Sequence, residues 1–340
     1  MRVTASAPGK LVLLGEYAVL EGAPALVLAV NRRARVSLIP ASGKHWEIAS
    51  PTLGLEAQLR PGTKGAEWRE TPAPELEWLA SLFVQLPFAA ALPPCRVELG
   101  SDAFFLDRSG ERMKLGLGSS AALTVALLGA LHAYARRPAP GLAACIAVHR
   151  AIQHGRGSGI DIAAALAGGL SRFELSGNGP ECVPMKLPGS LHWRCLFSGR
   201  PASTAAMLGS VAAWRERQPA AYALRINELG TISSRGVDAV AGHDAASFLS
   251  SLQDYAQALA AFGEAAGMDI ASLGHRRLAG LAAASGVVYK SCGAGGGDVG
   301  VTFGMDDMRL REFAGRAAEA GYAVIEAGAD LRGLETNVAD

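Results

Sequence analysis

The stretch that most constrains this chain is Lys114 to Ala122, KLGLGSSAA, a glycine-rich turn that runs straight into an apolar helix. Small residues let the backbone approach an anion closely, and the first turn of a helix offers unpaired N–H groups and partial positive charge. The stretch reads as a nucleotide-phosphate site. Ser119 and Ser120 could equally cap the helix that follows.

The composition fits a folded protein acting on a small molecule. Half of the 340 residues are hydrophobic, and 32 basic side chains nearly cancel 31 acidic ones. Nucleic acid and anionic membranes are therefore not expected as partners, because binding them needs a concentrated basic patch. A small anion in one pocket remains open. Five scattered cysteines without a CxxC pair point to free thiols in a reducing compartment and to no zinc site. The apolar run Leu11 to Leu14 is too short for a secretory core, and Ala121 to Leu131 is too short to span a membrane. A cytoplasmic protein is expected.

The pattern of elements is mixed. Strands are predicted at 10–14, 25–30, 34–39, 45–48 and 95–99, with one helix around 75–85. Helices over 119–135 and 143–153, and another opened by Asp161, are followed by a hairpin at 170–174 and 181–186. Beyond it come a strand at 192–197, a helix capped by Ser203 and a helix marked by Phe248, Leu252, Tyr255, Leu259 and Phe262. Strands at 286–290, 299–303 and 322–326 and a helix at 308–320 complete the chain. Topology divides it into domains at 1–186 and 187–340.

Three separated motifs stand in order: PGKLVLLGEYAVLEG (Pro8 to Gly22), KLGLGSSAA and KSCGAGGGD (Lys290 to Asp298). Together they closely resemble the three signatures of the GHMP small-molecule kinases. The resemblance spans residues 8 to 298 and implies an α+β, two-domain fold. Its first domain would be ribosomal-S5-like and bind ATP, its second ferredoxin-like, with the active site between them. The opening GEYAVLEG is similar to the isoprenoid members, mevalonate and phosphomevalonate kinases, and unlike the galactokinase form. The segment AVHRAIQHGRGSGIDIA (Ala147 to Ala163) resembles the phosphomevalonate kinase form. Arg150 stands where mevalonate kinases usually carry a magnesium-binding Glu.

The resemblance assigns residues as well. Lys114, Gly116, Leu117, Gly118, Ser119, Ser120 and Ala121 would hold the phosphates of ATP, with Ser120 as the Mg²⁺ ligand. Lys10 corresponds to the lysine that reaches the reacting phosphates. Asp161 matches the SGxD aspartate that orients or deprotonates the acceptor, and could instead be a helix N-cap. The acceptor side would draw on Ser158, Gly159, Arg150, Ser203, Thr204, Gly295 and Gly296.

Phosphoryl transfer asks a protein mainly for positioning and charge neutralisation. A phosphomonoester acceptor is already largely dianionic near neutral pH, so it needs cations more than a base. His149, His154, Arg156, Lys114 and Arg200 are further candidates for that charge. Asp298 and Glu16 read as turn, cap or structural residues with a smaller prospect of touching ligand. Cys292 is not a proposed nucleophile. The implied activity is ATP- and Mg²⁺-dependent conversion of 5-phosphomevalonate to its diphosphate. Mevalonate phosphorylation is the alternative, and a non-catalytic ligand-binding protein of the same fold is a further one.

Overall fold

The computed structural model describes residues 1–62, 64–108 and 110–339. The first half builds β1 (Arg2–Leu14), β2 (Ala25–Pro40), β3 (Trp46–Ser50), β4 (Leu55–Gly62), β5 (Gly65–Trp68), α1 (Trp78–Val84), β6 (Cys95–Gly100), β7 (Phe105–Arg108) and β8 (Glu111–Lys114). It continues with α2 (Ser119–Tyr134), α3 (Leu142–Ile152), α4 (Ile160–Ala167), β9 (Leu170–Ser176) and β10 (Gly179–Met185). The second half supplies β11 (His192–Phe197), α5 (Thr204–Arg217), α6 (Pro219–Ala241), α7 (Ala245–Ala266), α8 (Leu273–Ala284), β12 (Val288–Ser291), β13 (Val299–Gly304), α9 (Asp307–Glu319), β14 (Ala323–Ile325) and β15 (Glu335–Ala339).

The larger sheet runs β10-β9-β2-β6-β3-β4-β5, with β1 on the other side of β2 and β15 beyond it. Two strands anticipated at 25–30 and 34–39 are one strand, β2, which stays extended through the polar residues Asn31 to Arg33. Opposite them the register of β1 shifts between Pro8 and Gly9. The extra residues of that bulge, Asn31 and Arg32, lie on β2. Helix α2 is apolar on nearly every side and buried almost throughout, as a central helix packed on a sheet must be.

The smaller sheet has the order β12-β13-β11-β14. With α5 to α8 between β11 and β12, and α9 between β13 and β14, this is the ferredoxin-like βαββαβ order. Helices α6 and α8 fall where no element was anticipated. The tail also departs from the division at residue 187: β15 pairs antiparallel with β1, Arg2 opposite Ala339, so the end of the chain is part of the first domain's sheet.

The two domains share apolar packing. Leu11, Leu13 and Leu14 of β1 lie in one buried cluster with Phe248, Leu252 and Phe262 of α7. Each such side chain contributes roughly 1.5–3 kcal/mol when fully buried, so the seam beneath the cleft is a core. Among the described residues, no helix is long and apolar enough to cross a membrane. The cysteines are free.

Candidate active site

The first and second motifs meet through the backbone. Lys10 N–H donates to the Leu117 carbonyl at 2.8 Å, which binds the phosphate-type loop to β1. The loop then turns through Gly116 (φ 72°) and Gly118 (φ 82°), both left-handed, and Gly118 caps α2. Gly116 has no room for a side chain, and Gly118 has little. A Cβ on Gly118 would lie 3.3 Å from Lys10 Cε, and one on Gly116 would lie 2.2 Å from the Asp298 carboxyl. The glycines therefore let charged groups of the other two motifs close onto the loop.

Lys10 and Asp161 form the centre. Asp161 lies in the first turn of α4, whose N-cap is Gly159, and its Oδ1 stands 3.7 Å from Lys10 Nζ. Burial works to lower the lysine's pKa, but the charges around it, first Asp161 and then Asp298 and Glu16 among the carboxylates, outweigh burial and raise it. Lys10 is thus a fixed cation. His149, at the end of α3, has its pKa lowered by burial, with Asp161 opposing, and stands 3.4 Å from Ser120 Oγ.

The third motif is bolted to the first. Lys290 Nζ donates to Glu16 Oε1, both side chains being buried, and Gly293 N–H reaches the same oxygen at 3.3 Å. Tyr17 stacks on Phe262 at 4.8 Å and donates its hydroxyl to the Ala294 carbonyl at 2.6 Å. Tyr255 donates to the Glu16 carbonyl at 2.7 Å. The pair fastens the two domains where the cleft begins. Cys292 is buried, its thiol pushed up to about 12 chiefly by burial, so it is a neutral packing group.

These elements enclose a cleft of about 450 Å³. It is lined by Lys10, Lys114, Gly116, Gly118, Ser119, Ser120 and Ala121 on one side, and by His149, Ser158, Gly159 and Asp161 on another. Ser203 and Thr204 close the third side at the start of α5, where Ser203 Oγ accepts from Ala206 N–H. Three helix N-termini, those of α2, α4 and α5, thus meet at one cavity, each favouring negative charge. The remaining wall is apolar, with Val12, Tyr17, Val19, Leu20 and Leu208.

Several sequence candidates lie elsewhere. Arg150 does not line the cleft: its guanidinium donates to the carbonyls of Gly157 (3.0 Å) and Ser158 (3.2 Å), shaping the loop before α4. Arg200 is engaged by Asp269 (2.7 Å) and the Gly296 carbonyl (2.7 Å). His154 and Arg156 are exposed and outside it. Gly295 and Gly296 pack against Ile270 and Met207. Leu117 contributes its carbonyl to β1 while its side chain is core. Sequence reasoning passed over Lys290 as a buried partner for Glu16, although it opens the third motif. The apolar wall was legible only as strand and helix core.

The donor set suits a hard cation carried on phosphates. Among the described residues no cluster of three or more His, Cys, Asp or Glu side chains could hold a metal by itself. The Ser120 hydroxyl and the Asp161 carboxylate supply oxygen beside an open, glycine-lined cradle. Mg²⁺ takes few protein ligands and completes its shell with phosphates and water, so the residues fit that ion.

Comparison with known proteins gives the class first. Residues 91–169 match the GHMP kinases N terminal domain. The chain also superposes on a Lin0012 protein from Listeria innocua with a TM-score of 0.85 at 22% identity, covering all of both chains. The class defined by these findings is a segment similar to the GHMP kinase N-terminal domain, in a chain that has the fold of GHMP kinases. The particular relatives are mevalonate-pathway kinases. Mevalonate kinase of Aeropyrum pernix is 32% identical over 182 residues, 53% of each chain. Phosphomevalonate kinase of Streptomyces sp. is 24% identical over 340 residues, covering 87% of this chain and 88% of that one. The chain spans about half the length of the Aeropyrum and Methanothermobacter mevalonate kinases it matches. Streptococcus pneumoniae phosphomevalonate kinase in complex with phosphomevalonate and AMPPNP shares the fold, with a TM-score of 0.78 at 19% identity over 96% of this chain and 99% of that one.

Proposed function

We propose that this protein is an ATP-dependent phosphotransferase acting on a mevalonate-type acid, with 5-phosphomevalonate as acceptor. The observation that carries the reading is the Lys10–Asp161 pair, 3.7 Å apart, set where the N-termini of α2, α4 and α5 converge. Two phosphate-bearing substrates need two anion sites facing one cation. In this reading α2 takes the donor phosphates, α5 with Ser203 and Thr204 takes the acceptor phosphate, and Lys10 lies between them.

The chemistry follows from charge. The acceptor phosphate attacks as a dianion, so no strong base is required, and the barrier falls through alignment and neutralisation of the transferring group. Lys10 neutralises charge on that group, and Asp161 holds the lysine in place. Lys114 adds a second cation on the donor side. Ser120 would hold Mg²⁺ together with phosphate oxygens, and the ion, when bound, neutralises charge there.

A second reading has mevalonate as acceptor. It is favoured by Asp161 standing beside Lys10, where a carboxylate can orient a hydroxyl, and by the likeness to the Aeropyrum mevalonate kinase. An ADP-coupled assay with each acceptor separates the readings. Turnover with phosphomevalonate supports the first, and turnover with mevalonate alone overturns it.

A further inference from the structure

The role of Asp298, at the end of the glycine loop, follows from an arrangement that neither a turn nor a cap requires. Its backbone is left-handed (φ 60°), a conformation a glycine adopts without cost and an aspartate tolerates. The side chain occupies the space above Gly116, whose Cβ, if present, would lie 2.2 Å from Asp298 Cγ. All of its hydrogen bonds go the other way. Ala202 N–H donates to Asp298 Oδ1 at 2.9 Å, Asp298 N–H donates to the Arg200 carbonyl at 2.8 Å, and Ser198 N–H donates to the Asp298 carbonyl at 2.8 Å.

Residues 198–202 lead directly into Ser203 and Thr204, the start of α5, which line the cleft opposite the phosphate loop. Asp298 holds that segment at three points, Ser198, Arg200 and Ala202, beside the Arg200 side chain's own bonds to Asp269 and the Gly296 carbonyl. Behind it His275 donates from Nε2 to the Gly297 carbonyl at 2.8 Å and accepts the Tyr289 hydroxyl on Nδ1 at 2.9 Å, so the support is itself anchored. We propose that Asp298 is a positioning residue that fixes the start of α5, and with it the acceptor end of the cleft, in register with the phosphate loop. The proposal rests on the phosphotransferase reading for its kinetic form. Burial of the carboxyl, opposed by the Ala202 N–H and by Lys10 and Lys114, fits a group held for its contacts.

The contacts make the effect of removal one-sided. Toward the donor loop the carboxyl makes no hydrogen bond, only packing on Gly116 and attraction to Lys10 and Lys114, whereas toward the acceptor side it accepts the hydrogen bond that orders Ala202. Asp298→Gly deletes the side chain without backbone strain, and Asp298→Asn keeps an oxygen that can accept from Ala202. With the acceptor that the wild type turns over, Asp298→Gly is expected to raise the acceptor KM about tenfold or more, as loss of a charge-assisted hydrogen bond would. The ATP KM should stay within about threefold, and Asp298→Asn should restore most of the acceptor KM. Equal losses for both substrates, no loss, or Asn behaving like Gly would overturn the proposal.

Hydrogen exchange of the same proteins provides a test that does not need turnover. Amides of residues 198–208 should exchange faster in Asp298→Gly and at the wild-type rate in Asp298→Asn. Unchanged exchange in Asp298→Gly refutes the positioning role. A wild type that turns over neither acceptor refutes the phosphotransferase reading, and the exchange result then decides Asp298 separately.

Discussion

Replacing Lys10 by Met removes the charge at the centre of the cleft while keeping a chain of similar length. Two unit charges 3.7 Å apart attract by about 4 kcal/mol at an effective dielectric of 20. Asp161 has 34% of its side chain exposed, so solvent screening leaves only part of that, about 1–2 kcal/mol, in the resting pair. The larger loss falls in the transition state. There a preorganised cationic donor contributes about 3–4 kcal/mol, and its removal also leaves Asp161 facing the transferring phosphoryl group unpaired. The expected result is a fall in kcat of roughly 10²–10³-fold, with ATP affinity retained because the α2 loop is untouched. Steady-state kinetics and nucleotide titration on the same preparation measure both, and a melting curve checks the fold. A kcat within tenfold of wild type in a folded variant would refute the role given to Lys10.

Two further outcomes follow from the buried polar groups. Lys290→Met leaves the Glu16 carboxylate buried beside a single N–H donor, a situation that costs about 3–5 kcal/mol. A fall in Tm on the order of 10 °C is expected, partly recovered when Glu16→Gln is added, and an unchanged Tm would show that the pair is not a fastening. The second outcome concerns acid. Burial lowers the pKa of His275 from 6.5 to about 4, so between these values the unfolded chain holds a proton that the folded one does not. Stability therefore rises with pH across that window, and acidification from 6.5 to 4 should cost roughly 3 kcal/mol from this group. His275→Gln, which can still donate to Gly297, should flatten that part of the profile in denaturant titrations, and an unaltered slope would assign it elsewhere.

The sequence made the chemistry more legible than the architecture. Gly118 and Ser120 were nameable because a phosphate cradle needs small residues and a helix start, and those requirements leave local marks, whereas Lys10 and Asp161 were named only through the resemblance of their motifs to the GHMP kinases. Arg150 shows the limit: its charge was visible, but its use on the carbonyls of Gly157 and Ser158 depends on how the loop before α4 turns. Helix α6 did carry a signal, in Tyr222, Ile226, Leu229, Val237 and Val240 at helical spacing, diluted by Gly230, Ser233, Ser234 and Gly236. Strand β15 carried none. Its residues are largely exposed and lack apolar alternation, and its partner, β1, lies more than three hundred residues away in the chain. The Glu16–Lys290 contact has the same origin, because sequence marks residue types while only the assembled fold decides which charges share a buried space.

The central claim is that one cleft brings two phosphates together across Lys10. The most direct measurement is ³¹P NMR of the purified protein with MgATP and 5-phosphomevalonate. The account predicts that the phosphomonoester signal is replaced by the coupled pair of a diphosphate as ADP accumulates, and that Lys10→Met suppresses the exchange of signals. A phosphomonoester signal that persists unchanged while mevalonate is phosphorylated under the same conditions would contradict it.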